Sequence, residues 1–371
     1  VSSLVRSGEL TSPEWQAAFA KVPRHVFVPV VMGEGEDETE VMTAGHERWL
    51  SLAYSDEALV ILDAGDRQSS SSAPTVMARC LESLHMEDGN SVLEMGTGSG
   101  YNAALLCERL GSEWVTSIDI EPELVDLARQ RLAECGYTPT LAVANGWEGF
   151  AARAPYDRIV ATCSAPRIPE AWIDQLRAGG IVVAPLRGGR FGAVALATLR
   201  LAADGSLTGR LHPRGAGFMW MRKPGVHAVE GPTRKELRAR IKAMEGADCR
   251  RCSIPDYLED DDRRLRVAAE FLLRLDEEAD WQWFWAPGRD GERHAPAVAA
   301  PDGSWARVVR RDRPVVYQGG PRRLWDLVET NWERFRRLGR PGMDRYVITV
   351  IPGQRQSIHL DGAGHDCVWE L

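Results

Sequence analysis

Three glycines at alternate positions, Gly96, Gly98 and Gly100, follow the apolar run Val92, Leu93, Glu94, Met95, with Thr97 and Ser99 between them. A buried strand that breaks into a tight glycine turn and continues as a helix, expected here over residues 101–110, builds the nucleotide crevice of doubly wound α/β folds. Glycine at such a turn lets the backbone approach a ligand closely. A second apolar run, residues 114–118, ends at Asp119, about the 20-residue distance at which an acid grips ribose hydroxyls. A nicotinamide site would need glycine at position 101, which is Tyr101. Glu94 on the strand, the Gly-Thr-Gly-Ser-Gly order and the ribose acid favour S-adenosylmethionine, which has no pyrophosphate to seat on the helix N-terminus. The candidate cofactor residues of this first unit are Glu94, Gly96, Thr97, Gly98, Ser99, Tyr101, Asp119 and Ile120.

The elements that must hold these residues follow in order. Residues 123–135 read as a helix with Leu124, Leu127, Ala128 and Leu132 on one face. A third strand over 141–143 ends at Ala144, Asn145, Gly146 and Trp147, where Trp147 is equally a stacking ring or a core residue. A fourth strand, 157–163, directs Thr162 to the crevice, because open parallel sheets bind ligands at the carboxyl ends of their strands. A fifth spans 181–185, and residues 193–201 and 206–211 read as a hairpin. Upstream, residues 12–22 carry a capped amphipathic helix and 33–48 an acidic solvated loop. Four serines, Ser69 to Ser72, precede Pro74, a residue suited to opening the helix expected at 75–84.

The chain has 371 residues, enough for two domains. No apolar run approaches the roughly 18 residues that cross a membrane, and the N-terminus lacks a charged-then-apolar signal pattern. With seven scattered cysteines, this points to the cytoplasm. Only Cys249 and Cys252 have metal-like spacing, and without a second pair no metal is expected. The net charge is −8, and neither half has the basic balance of a nucleic-acid binder.

The segment Pro23, Arg24, His25, Val26, Phe27, Val28, Pro29 resembles the entry segment of protein L-isoaspartate O-methyltransferases, and residues 54–59 resemble the stretch leading to that family's substrate loop. The loop Gln68, Ser69, Ser70, Ser71, Ser72, Ala73, Pro74 is similar to the family's Gln-Thr-Ile-Ser-x-Pro, with one residue more and serines in place of Thr-Ile. The serine that in the family lies between methyl donor and substrate carboxylate matches Ser72. Asn145 stands where the family has an acid contacting the adenine amine. His25 reads as a core or capped histidine. The resemblance implies a class I, Rossmann-like S-adenosylmethionine-dependent methyltransferase fold over residues 1–223, cofactor contacts at Asn145, Gly146 and Trp147, and catalytic roles for Ser72, Ser71 and Thr162.

The resemblance stops near residue 222, and residues 224–371 are expected to form an appended α+β domain that recognises substrate. This region resembles the extension of methyltransferases encoded beside ribosomally made, modified peptides. It holds seven of the thirteen tryptophans, three of them (Trp281, Trp283, Trp285) at alternate positions that share one strand face, among clustered arginines. Trp and Arg dominate binding hot spots, which suggests a peptide surface. The resemblance thus implies methylation of an aspartate carboxylate in a cyclised precursor peptide, the ester closing to an aspartimide, with repair of isoaspartate as the alternative.

Overall fold

The computed structural model describes the chain apart from residues 35–38, 65–66, 188–193, 223–231, 244–246, 260–262, 278–279, 287–293 and 365–366. The first strands, β1 (Val30–Glu34), β2 (Thr39–Thr43), β3 (Leu59–Ala64) and β4 (Arg67–Ser71), form an antiparallel sheet ordered β2-β1-β3-β4. This corrects two expectations. The acidic stretch 33–48 contributes a β1–β2 hairpin rather than only a loop, and three of the four serines lie on β4, an edge strand.

The main sheet begins with β5 (Val92–Met95), β6 (Val115–Asp119), β7 (Thr140–Val143), β8 (Tyr156–Ala161) and β9 (Leu176–Arg187), paired in parallel in the order β9-β8-β5-β6-β7. β5 and β6 are fully buried along their length, as strands covered by helices on both faces must be. The helices Tyr101–Leu110 and Pro122–Glu134 cross between β5 and β6 and between β6 and β7. β10 (Val194–Leu201) and β11 (Leu207–Leu211) extend the sheet antiparallel beyond β9.

The expected boundary at 223/224 lies outside the described residues. Past it, β12 (Asp248–Arg251), β13 (Gln282–Ala286), β14 (Ala295–Ala299), β15 (Trp305–Val309) and β16 (Val315–Gly319) make a five-stranded antiparallel sheet, ordered β12-β16-β15-β14-β13. The last strands do not belong to it. β17 (Tyr346–Val350) pairs with β11, β18 (Ser357–Leu360) with β17, and β19 (Val368–Glu370) with β18, so the main sheet has ten strands drawn from both regions. One apolar core runs accordingly from Leu93 and Ile159 through Leu199 and Leu207 to Ile348, Phe271 and Trp283.

Trp283 and Trp285 share one face of β13 as their spacing predicts, and Trp281 immediately precedes the strand. That face is turned inward: Trp281 is fully buried, Trp283 nearly so, and Trp285 packs against the same core. The peptide surface expected there is therefore a core layer, wedged against the helices Arg263–Glu277 and Leu324–Arg337, with Trp283 edge-on to Trp325. Several of the arginines are similarly occupied. Arg266 pairs with Glu270 and lies over Trp285, Arg340 pairs with Asp256 and lies over Trp332, and Arg310 pairs with Glu259.

Candidate active site

The carboxyl ends of β5, β6 and β8 meet β4 around one cleft. Its floor is the glycine turn. Gly96 has φ +101°, and a Cβ there would stand 2.6 Å from Thr162 Oγ1 at the end of β8, so no side chain fits. The turn is tied to β6 by backbone bonds from Gly96 and Thr97 to the Ile118 carbonyl and from Gly98 N–H to Asp119 Oδ2 (2.9 Å). Thr162 Oγ1 donates back to the Gly96 carbonyl (2.7 Å). Thr162 is thus a brace for the floor as well as a lining residue.

Asp119 is 8% exposed and holds a second backbone bond, from Glu121 N–H to Oδ1 (3.1 Å). Burial pushes its pKa above the ordinary carboxylate range, against the pull of those two N–H donors. Each carboxylate oxygen keeps a lone pair free for a hydroxyl, as a ribose requires. On the far side, Gly146 leaves room for Met221, whose Sδ would lie 2.8 Å from a Cβ there, while Trp172 Nε1 donates to the Gly146 carbonyl (2.8 Å).

Of the sequence candidates, Ser71, Ser72, Gly96, Thr97, Gly98, Ser99, Asp119, Ile120, Gly146 and Thr162 line this cleft. Four do not. Glu94 is fully buried beneath the floor, where Oε1 accepts from Asn102 Nδ2 (2.7 Å) and Oε2 from Ser117 Oγ (2.6 Å). Burial drives its pKa up to about 7, in spite of those two donors. Tyr101 points into the core against Phe19 and Phe27. Asn145 is not among the residues lining the cleft and closes a local turn, its Oδ1 accepting from Trp147 N–H (3.1 Å) and its Nδ2 donating to Glu148 (2.8 Å). Trp147 packs on the core.

The serines differ sharply from one another. Ser69 and Ser70 pass over the glycine turn, Ser69 Oγ lying 3.8 Å from where a Gly98 Cβ would be. Ser72 gives its carbonyl to Arg24 and is half-buried. Ser71 is 3% exposed, lines the cleft, and its hydroxyl has no hydrogen-bond partner among the described residues. A buried hydroxyl left unpaired costs about 1–3 kcal/mol, which a bound ligand would recover.

Two parts of the site were missed in the sequence. Arg24, beside the histidine singled out above, is 1% exposed; its Nη1 donates to the carbonyls of Ala53 and Ser55, and its Nη2 to those of Glu57 and Ser72. Its motif was the available signal. The second part is the segment Met219, Trp220, Met221, Arg222, which lines the cleft, with Ser70 Oγ reaching Met219 Sδ at 3.7 Å. It is pinned by a parallel bridge between Ser164 and Trp220, a long-range contact with no local signature. Arg222 pairs with Glu121, two residues beyond Asp119. His25 bonds Tyr54 Oη (2.7 Å) and faces Trp49, away from the reacting centre.

A parallel sheet in this order, a glycine floor with no room for a Cβ at Gly96 and an acid free to take hydroxyls define a class I S-adenosylmethionine-dependent methyltransferase, and S-adenosylmethionine is its cofactor. The family described as Protein-L-isoaspartate(D-aspartate) O-methyltransferase (PCMT) matches residues 1–208. The chain belongs to that family. It is 38% identical over 188 residues to the protein-L-isoaspartate O-methyltransferase of Ignicoccus hospitalis, covering 50% of this chain and 79% of that one. With the Thermococcus onnurineus protein of the same name it shares 37% over 188 residues, 50% of this chain and 76% of that one.

A solved structure entitled protein-L-isoaspartate O-methyltransferase aligns with 96% of this chain and 97% of its own, at a TM-score of 0.53 and 21% identity. The alignment extends into residues 224–371, so the fold of that region has a counterpart in a solved structure.

Proposed function

We propose that the protein transfers the methyl group of S-adenosylmethionine to the free carboxylate of an isoaspartyl residue in a peptide or protein, the step that begins its repair. The relatives' names and the family support this reading, and the observation that carries it is the unpartnered Ser71 hydroxyl at the cleft. The cofactor, when bound, supplies an electrophilic methyl on a sulfonium. A carboxylate is already the nucleophile at neutral pH, so no side chain need remove a proton. In the transfer an oxygen–carbon bond forms, the carbon–sulfur bond breaks, and its electron pair leaves with sulfur. The residues' work is positional, and alignment of two reactants contributes several kcal/mol toward the barrier. Ser71 Oγ donates to one carboxylate oxygen and leaves the other to react; β4 and the Met219 segment exclude water.

Ser71→Ala should lower kcat/KM on an isoaspartyl peptide about tenfold or more while S-adenosylmethionine affinity holds, as expected for a lost hydrogen bond to a charged group. Ser72→Ala should cost less, because the Ser72 contact with Arg24 is through the backbone. Equal losses at both would assign the loop a merely covering role.

A second reading, methylation of an aspartate in a cyclised ribosomal peptide, draws on one observation: the substrate wall is a serine strand where the resembling family has Thr-Ile. Turnover of a linear isoaspartyl peptide beside a cyclised aspartyl peptide separates the two. A cytoplasmic setting fits seven free cysteines, and no helix among the described residues is long and apolar enough to cross a membrane.

A further inference from the structure

The cleft contains a second unpartnered buried atom, of opposite character to the Ser71 hydroxyl. Asn102, the second residue of the helix Tyr101–Leu110, is 7% exposed and lines the cleft, and no described residue donates to its Oδ1. The amide cannot turn round to hide that oxygen. Its Nδ2 donates to Glu94 Oε1, and Glu94 is itself held by Ser117 Oγ, which contacts Thr97 Oγ1 (2.7 Å). Reversal would set the amide oxygen against a carboxylate. The chain of four side chains therefore presents an acceptor to whatever fills the cleft.

S-adenosylmethionine offers three kinds of donor: ribose hydroxyls, the adenine amine and the α-ammonium. Asp119 is placed for the hydroxyls, and Ala144 and Gly146 at the end of β7 line the part left for a base. The ammonium remains. A helix N-terminus alone would repel it, since its partial charge is positive. Glu94, directly behind the amide, reverses that sign.

Resting on the cofactor site and independent of which peptide is methylated, we propose that Asn102 Oδ1 is the acceptor for the α-ammonium of the methyl donor, and that Glu94 is a positioning residue acting through the Asn102 amide. Neither was assigned this role by the glycine motif, which pointed to Glu94 as a direct contact.

The test is calorimetric, on the full chain, with S-adenosylhomocysteine and its analogue lacking the amino group. Asn102→Ala should weaken the first about tenfold or more, the worth of a hydrogen bond to a charged group, and leave the second within about twofold. Asn102→Leu, which keeps the volume, should behave alike and guards against a folding defect in the alanine variant. Equal weakening of both ligands, or of neither, overturns the proposal.

A second readout concerns Glu94. An ammonium arriving beside a carboxyl held near pH 7 must displace part of its proton. The titratable groups facing Glu94 are Asp119, Cys107 and Cys163, and both thiols are pushed up by burial and stay protonated. Heats measured in buffers of different ionisation enthalpy at pH 7 should show proton release for the parent with S-adenosylhomocysteine and clearly less for Glu94→Gln. Identical release in both would remove Glu94 from the role.

Discussion

At one end of the ten-stranded sheet, β5 to β9 run parallel; at the other, β10, β11 and β17 to β19 run antiparallel. The parallel end returns the chain through helices, so every strand finishes on the same side and its terminal residues converge: the glycine turn, Asp119, Gly146 and Thr162 are all such ends. The antiparallel end alternates directions, so its strand ends do not converge on one side. Its residues are spent on structure, as are those of the five-stranded sheet beside it, with tryptophans in the core and arginines paired to acids of the same chain. Chemistry in this molecule is a consequence of strand direction more than of composition.

The sharpest way to break that comparison is to cut it. A chain ending at residue 222 would strip β17 from β11 and halve the shared core. It should lose most of the roughly 5–15 kcal/mol by which a domain is stable and show no cooperative thermal transition by circular dichroism. A cooperative melt with retained cofactor binding would make the antiparallel end a removable addition.

Next in size is Gly96→Val, which tests the parallel end alone. The left-handed backbone costs about 1–3 kcal/mol for a side-chain residue, and the clash with Thr162 adds to it. Calorimetry should find no binding of S-adenosylmethionine while the antiparallel sheet keeps its far-ultraviolet signature. Wild-type affinity would mean that the cleft is misplaced.

The smallest effect is electrostatic. Glu94 has a folded pKa of about 7, raised by burial above its unfolded value, so it favours the folded state fully below the ordinary carboxylate range. That contribution is lost as pH rises toward and through 7. The difference in urea stability between the parent and Glu94→Gln should therefore shift by ~3 kcal/mol between pH 4 and pH 8, the parent being relatively the weaker at pH 8. A difference that stays constant across this range would show that the Glu94 pKa is the same in the folded and unfolded chain.

Legibility in the sequence divides along the same line. The parallel strands announce themselves because each carries an apolar run, closed in β5 by Gly96 and in β6 by Asp119, and ten of the candidate positions reach the cleft. What failed needed long-range information. Serine has poor strand propensity, and only pairing with β3 makes residues 67–71 a strand. β5 is buried on both faces, so nothing local tells whether Glu94 looks up into the cleft or down into the protein. The tryptophan spacing gave the correct face, but spacing cannot say whether a face is covered. The Met219 wall depends on a bridge to Ser164, more than fifty residues earlier.

Arg24 carries one implication of its own. The hydrogen bonds of its two terminal nitrogens all end on main-chain carbonyls, of Ala53, Ser55, Glu57 and Ser72, and none on a side chain. An anchor that grips only main chain is indifferent to the letters written along it. The side chains at these four positions, Ser72 at the cleft among them, can therefore change without loosening the attachment. A single guanidinium gives this scaffold a substrate face that selection or an engineer can retune while the floor beneath stays fixed.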